Sequence, residues 1–166
     1  MFYYNIFYTK SGYASLVSNG RAVVRFFLPV LKNNEMVKLV KKTFPDSIEM
    51  NNPFFKDCKE IIKDYFKGVP VSFNMPVEFM GVSSFIKQVL NITYLIPYGE
   101  VRTYKWISEK IGSEDVCRAV GLALSKNPIP VIIPCHRVIQ SDGELGGFSY
   151  GLQWKIKLLR LEKVFK

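Results

Sequence analysis

The chain has 166 residues and a formal net charge of +9, and 48% of its residues are hydrophobic. This hydrophobic content is sufficient for one domain or two small ones and excludes large-scale disorder. No stretch approaches the roughly 20 consecutive apolar residues of a membrane-spanning helix, and residues 1–8 lack the basic leader of a secretion signal. We therefore expect an intracellular, cytoplasmic protein without a membrane partner, whose positive charge favours polyanions.

The first half of the chain has the pattern of a small sheet followed by two helices. Three segments rich in Tyr, Phe and Val are predicted strands: 2–9, 13–18 and 21–29. Asn19-Gly20, between the last two, is typical of a two-residue hairpin turn. Apolar residues at helical spacing then predict helices over 34–42 and 56–66. This order of elements predicts an α+β domain over residues 1–78.

The second half is predicted to be mostly helical. Residues 69–80 contain two prolines and are expected to form an extended connector, after which helical spacing returns over 82–95. A final amphipathic helix is predicted over 152–164. These elements indicate a second domain over residues 79–166.

Capping signals in this second domain predict a helix-turn-helix. Thr103 can cap a helix that Gly112 ends, and Ser113 can open a second helix that runs to about Lys126. Apolar residues in the second helix recur at three- and four-residue steps, which leaves Arg118 on another face. From the sequence pattern alone, a solvated surface charge is the favoured explanation of this arginine.

The most informative segment is 127–137, because it joins the chain's only histidine to a cysteine. Three prolines frame the apolar run 131–133, which predicts a short buried strand that ends near Cys135. A cysteine is nucleophilic as its thiolate, and a basic or cationic neighbour favours that form. His136 and Arg137 both follow the cysteine, although an isolated Cys-His pair is more often a packing feature.

The remaining cysteines do not indicate a disulfide framework or a metal site. Cys58, Cys117 and Cys135 are odd in number and include no Cys-x-x-Cys pair. The single histidine leaves too few ligands for zinc, so we expect no metal.

Pro134-Cys135-His136-Arg137-Val138 resembles the active-site motif of the O6-alkylguanine-DNA alkyltransferases, also called methylated-DNA–protein-cysteine methyltransferases. The resemblance extends over about 82–163. It includes four further segments at the family spacing: 96–104, Arg118-Ala119-Val120-Gly121, Asn127-Pro128 and 146–151. It implies an RNase H-like N-terminal domain of antiparallel sheet and helices, followed by a helical domain with a helix-turn-helix.

The resemblance also implies roles for individual residues. Cys135 would accept the alkyl group, and His136 would be a general base acting through a water molecule. Glu162 would orient the imidazole, Asn127 would brace the turn before the nucleophile, and Tyr104 would donate a proton or a hydrogen bond to the purine. No cofactor is needed, and each molecule would act once because the thioether product is stable.

The implied partner is double-stranded DNA that carries O6-alkylguanine, and a monomer suffices for this chemistry. Arg118 would fill the space of an extruded nucleotide, and the small Ala119 would let its helix lie in the minor groove. The other residues assigned to substrate or DNA binding are Arg137, Val138, Ser149 and Tyr150. Whether O4-alkylthymine is also a substrate stays open.

Two other functions are compatible with parts of the pattern. A lesion-binding relative of the alkyltransferases would recognise alkylated DNA without accepting the group, but such relatives lack the nucleophile that Cys135 provides. A cysteine hydrolase would use Cys135 and His136, but their direct adjacency argues against that arrangement.

Overall fold

The computed structural model describes residues 1–165, except for the side chain of Glu114. The chain divides into two compact units, Met1–Met80 and Gly81–Lys166. The first combines a four-stranded sheet with two helices, and the second is mainly helical. The architecture is therefore mixed α+β, as predicted. Of the helices in residues 1–165, none combines the length and the apolar character that crossing a bilayer requires.

The sheet of the first unit has the strand order β3-β2-β1-β4. Its strands are β1 (Tyr3–Thr9), β2 (Gly12–Ser18), β3 (Val23–Val30) and β4 (Ile48–Glu49). The first three strands pair in antiparallel fashion, whereas β4 runs parallel to β1. Helices α1 (Asn33–Thr43) and α2 (Pro53–Phe66) complete this unit.

Both faces of the sheet carry buried side chains. Tyr4 and Val17 pack with Met36 and Val40 of α1 in one apolar cluster. Leu16 projects to the opposite face, because neighbouring side chains alternate along a strand, and it is fully buried as well. Each such side chain contributes roughly 1.5–3 kcal/mol to folding. The first unit therefore has a conventional apolar core.

The turn between β2 and β3 differs from the predicted two-residue hairpin. The Asn19 side chain accepts hydrogen bonds from the backbone N–H groups of Arg21 and Ala22, both at 3.0 Å. Ser18 pairs with Val23, so the connection has four residues. The asparagine forms a local side-chain turn of its own, which delays the start of β3.

The second unit contains four helices and a two-stranded ladder within its described residues. The helices are α3 (Ser84–Tyr94), α4 (Tyr104–Ile111), α5 (Cys117–Ser125) and α6 (Leu152–Leu161). The strands are β5 (Arg102–Thr103) and β6 (Val138–Ile139), and two 3₁₀ turns span Glu114–Val116 and Cys135–Arg137.

Helix α4 has the predicted ends, but α5 begins later than predicted. The Thr103 side chain accepts a hydrogen bond from the backbone of Trp106, and Gly112 ends α4 in the left-handed conformation. In the described structure the Ser113 side chain forms no capping hydrogen bond. Residues 114–116 adopt a 3₁₀ turn instead, so α5 starts at Cys117.

The parallel pairing of β5 with β6 connects two parts of the second unit that are distant in sequence. Arg102 pairs with Val138, and Thr103 pairs with Ile139. Tyr104 directly follows the first strand, and the Cys135–Arg137 turn directly precedes the second. The ladder therefore brings the start of α4 next to the cysteine.

Residues 131–133 do not form the predicted buried strand. The backbone N–H of Ile133 donates to the Ile129 carbonyl at 2.9 Å, which makes this segment a turn. Val131 has a φ of 73°, a conformation that β-branched residues rarely adopt. Cys135 consequently starts a 3₁₀ turn and does not end an extended segment.

Candidate active site

Asn127 lies two residues after the end of α5 and holds the segment that carries Cys135. Its Oδ1 accepts a hydrogen bond from the backbone N–H of Ile129 at 3.0 Å. Its Nδ2 donates to the Ile133 carbonyl at 2.9 Å and to Sγ of Cys135 at 3.1 Å. One side chain thus closes the turn and contacts the sulfur; the bracing role that the family resemblance implies for Asn127 stays a prediction.

The Cys135 thiol is buried, with 6% of the residue exposed. Burial raises the pKa of Cys135 to about 11, and the Asn127 hydrogen bond and the Lys155 charge offset this only in part. The group is therefore a neutral thiol near pH 7. A reaction at this sulfur requires that its proton be removed as the new bond forms.

His136 and Glu162 form a fully buried pair behind the cysteine. His136 Nε2 lies 2.6 Å from Glu162 Oε1. Burial lowers the pKa of His136, so the imidazole is neutral near pH 7. A neutral imidazole that donates to a carboxylate through Nε2 has its basic lone pair on Nδ1. The pair can therefore supply a general base.

Glu162 is held as a carboxylate by several donors. Arg137 donates to it twice, from Nε at 2.8 Å and from Nη2 at 3.0 Å. The backbone N–H of Gly99 lies 3.2 Å from Oε2. Burial opposes ionisation, but the hydrogen bonds and charges of His136 and Arg137 outweigh it and lower the pKa of Glu162 to about 2.

Arg137 occupies a different place from the one predicted for a DNA-binding residue. It is 5% exposed, and its Nη1 donates to the Ile96 carbonyl at 2.6 Å. Its other donors are used by Glu162. A guanidinium buried in this way positions the carboxylate and does not present its charge to a ligand.

Tyr104 is enclosed by two glycines. A Cβ added at Gly146 would lie 2.8 Å from the Tyr104 hydroxyl, and one added at Gly121 would lie 3.8 Å from the ring. Gly146 also has a φ of 70°, which favours glycine. Burial and the nearby Cys135 raise the pKa of Tyr104, so the phenol keeps its proton and can donate it.

Lys155 is a site residue that the sequence reasoning missed. It is fully buried on α6, and its Nζ donates to the carbonyls of Val138 at 2.6 Å, Gly147 at 3.2 Å and Leu145. Burial lowers the pKa of Lys155 to about 8, against the opposing effect of Cys135. The sequence did contain a signal for the burial of Lys155, because this lysine lies three residues before Leu158 on the apolar face of its helix.

A cavity of about 880 Å³ opens above the sulfur. Five of the predicted site residues line it: Tyr104, Arg118, Cys135, Ser149 and Tyr150. The loop that contains Ser149 and Tyr150 is held against the end of α5, because the Ser149 hydroxyl donates a hydrogen bond to the Ser125 carbonyl at 3.0 Å. The Tyr150 hydroxyl likewise donates to the Asn127 carbonyl at 3.2 Å.

The other predicted residues lie outside this cavity. Five of them are buried: Asn127, His136, Arg137, Val138 and Glu162. Ala119 lines a separate cavity of about 180 Å³. Among the described side chains, no group of three His, Cys, Asp or Glu residues could hold a metal ion. A thiol at the wall of a cavity, with a base behind it and a phenol beside it, suits attack by sulfur on a bound electrophile.

Comparisons with known proteins agree on one family. The family described as "6-O-methylguanine DNA methyltransferase, DNA binding domain" matches residues 84–164. A methylated-DNA–protein-cysteine methyltransferase of Methanosarcina barkeri is 40% identical over 161 residues, which are 97% of each chain.

Solved structures of the Mycobacterium tuberculosis O6-methylguanine methyltransferase are also similar. One has a TM-score of 0.82 at 30% identity and covers 98% of this chain and 93% of that one. Another, described as an OGT in complex with DNA, has a TM-score of 0.79 at 30% identity and covers 97% and 92% of the two chains.

Proposed function

This chain belongs to the family of methylated-DNA–protein-cysteine methyltransferases, and we propose that it transfers the alkyl group of O6-alkylguanine in duplex DNA to its own Cys135. The observation that carries the proposal is the Cys135 thiol at the wall of the 880 Å³ cavity, held by Asn127 and backed by the buried His136–Glu162 pair. The proposed substrate is O6-methylguanine; O4-alkylthymine would need to present its alkyl carbon to the same sulfur.

The buried sulfur requires that the damaged base leave the helix. A base stacked in a duplex cannot enter a cavity, so the target nucleotide must be rotated out, at a cost of a few kcal/mol that is lower for a poorly paired base. Helices α4 and α5 would act as the helix-turn-helix, and the exposed Arg118 would take the place of the extruded nucleotide. Residues 79–166 would then bind DNA and transfer the alkyl group.

The N-terminal domain has a supporting role in this proposal. Residues 1–78 would form the RNase H-like domain that the family resemblance implies. Its sheet and helices bury a conventional apolar core, and its buried polar side chains are neutral. The protein would act as a monomer, because one cavity and one thiol suffice for the reaction.

The transfer step follows from the protonation states of the site. The Cys135 sulfur attacks the alkyl carbon, and the new C–S bond forms as the C–O6 bond breaks. The thiol proton passes through a water molecule to Nδ1 of His136, and Glu162 stabilises the resulting imidazolium. Tyr104 donates its proton to the departing guanine, which would otherwise carry a negative charge. The imidazolium of His136 then returns one proton through water to the Tyr104 phenolate, so both side chains end neutral and the guanine carries the proton that Cys135 lost.

The product would be a thioether on Cys135 and an unmodified guanine. The alkyl carbon of a thioether has no leaving group that water displaces under mild conditions, so the protein acts once. The reaction needs no cofactor because the alkyl group is transferred directly. Lys155 supports the site by holding the loop carbonyls beside Cys135.

The test is the intact mass of the protein after incubation with excess duplex that contains one O6-methylguanine. The wild type should gain one methyl group, which proteolysis locates on Cys135, and Cys135→Ala should gain none. DNA binding without a mass gain would instead establish a lesion-binding protein. Turnover of thioester or peptide substrates would favour the hydrolase.

A further inference from the structure

An exposed leucine lies in the middle of α5, next to the candidate active site. Leu122 is 63% exposed, although α5 otherwise turns its apolar residues Val120, Ala123 and Leu124 inward. It lines the 880 Å³ cavity on one side and the 180 Å³ cavity on the other. The Leu122 side chain therefore lies between the two cavities.

The same face of α5 has the charge expected for a DNA partner. Arg118 precedes Leu122 by four residues and Ser125 follows it by three, so the three side chains share one face. All three are exposed and line the larger cavity. The sequence of α5 contains no Asp or Glu, and Lys126 follows it directly. Among the residues that line the larger cavity, Lys105 and Arg118 are basic and Asp142 is acidic, so the net charge there favours phosphates.

We propose that Leu122 is an apolar wedge that enters the DNA beside the damaged nucleotide, an inference that rests on the proposed function. Four helical residues span about 6 Å along the helix axis, and two base-pair steps span about 6.8 Å. A helix aligned with the groove would place Leu122 one or two steps from the position that Arg118 fills. Apolar side chains inserted between base steps unstack them and kink the duplex.

The contribution of a wedge to binding depends on the structure of the DNA, whereas that of a general surface contact does not. An inserted side chain gains binding energy by packing between stacked base pairs. Leu122 should therefore strengthen binding to duplex DNA and contribute little to binding of single strands. Its contribution should also be greater where the flanking step unstacks easily, as TA does, than inside a stiff A-tract. Neither difference is expected if Leu122 only maintains the shape of the helix.

The experiment measures binding of O6-methylguanine oligonucleotides by Cys135→Ala protein, in which no transfer can occur, with and without Leu122→Ala. We expect Leu122→Ala to weaken duplex binding about fivefold to tenfold and to leave single-strand binding nearly unchanged. The loss should be larger with a flanking TA step than with an A-tract, and Leu122→Met should restore duplex binding. Leu95→Ala is the matched control, because Leu95 is 70% exposed and lines neither cavity.

Equal losses on duplex and single strand, or a loss no larger than that of Leu95→Ala, would overturn the wedge. Methyl transfer to wild-type Cys135 is measured separately, with both duplex and free O6-methylguanine base. Absence of transfer from both substrates would refute the proposed function, whereas the duplex-to-single-strand ratio would still decide the role of Leu122. If Leu122→Ala slows transfer from duplex but not from the free base, the wedge is supported.

Discussion

The two units of this chain differ in what they bury. The buried polar side chains described in the first unit are neutral: Asn5, Thr9, Ser15, Ser18 and Ser47. The second unit buries four ionisable ones: His136, Arg137, Lys155 and Glu162. Removing charges from water is unfavourable unless each finds a partner, and an apolar core of the same volume is often more stable. The first unit therefore has the core of an ordinary folded domain, whereas the second buries a cluster of charged groups near the thiol of the proposed reaction.

Of the changes considered, removing the Glu162 carboxylate charge should have the largest effect on the stability of the second unit. Glu162→Gln leaves the buried Arg137 without its counter-ion, which should reduce the free energy of unfolding by about 3–5 kcal/mol. Both tryptophans of the chain, Trp106 and Trp154, lie in the second unit. Urea unfolding followed by tryptophan fluorescence therefore reports on that unit.

A second variant and the pH dependence separate stability from chemistry. Adding Arg137→Met to Glu162→Gln should recover part of the stability but not the rate of methyl transfer.

The pKa of Glu162 falls from 4.5 to about 2 in the folded protein, so its contribution to the free energy of unfolding is complete above pH 4.5 and is lost as pH falls toward 2. The difference between wild type and Glu162→Gln should shrink over that range. A difference that stays constant would show that ionised Glu162 does not hold the cluster together.

Each unit contains one buried thiol, and comparing these two thiols tests the difference between the units. Burial raises the pKa of both Cys58, in the first unit, and Cys135, in the second, to about 11. Access distinguishes them, because Cys135 lines the 880 Å³ cavity and Cys58 lines neither cavity described above. With Cys117→Ala to remove the third thiol, iodoacetamide should label Cys135 in the folded protein and Cys58 only after unfolding.

The pH dependence of that labelling has a definite sign. Below a pKa of about 11 the thiolate fraction of Cys135 increases about tenfold for each pH unit, so labelling should accelerate accordingly between pH 7 and pH 9. Mass spectrometry of the proteolysed protein gives both rates. Equal labelling of the two cysteines in the folded state would mean that the cavity does not give access to Cys135.

The sequence was informative where residues next to an element decide its ends, and less so where a side chain outside the pattern decides the conformation. The ends of α4 followed from Thr103 and Gly112, because caps are formed by residues adjacent to the helix. The turn at 131–133 did not, since it depends on hydrogen bonds from Asn127, and the apolar run gave no sign of the positive φ at Val131.

The candidate site shows the same limit. The family resemblance predicted roles for Cys135, His136 and Glu162, and the structure joins His136, Glu162 and Arg137 by hydrogen bonds. The burial of Arg137 could not be predicted, because its partner lies 25 residues away in sequence. Lys155 was missed for a similar reason: its acceptors are carbonyl groups of the loop and of β6, which no side-chain pattern reveals.

The smallest effect tests whether the two units respond differently to the same local change. Asn52 caps α2 in the first unit, and Thr103 caps α4 in the second; each side chain accepts a backbone N–H at 3.0 Å. Replacing either by alanine should destabilise its unit by about 1 kcal/mol. Only Thr103→Ala should also slow methyl transfer, because Tyr104 is the next residue and its hydroxyl must stay beside the purine. The single-turnover rate at saturating DNA measures this, and Thr103→Ser, which keeps the cap, should restore it. If Asn52→Ala slowed transfer as much as Thr103→Ala, the division between a folding unit and a reactive unit would not hold.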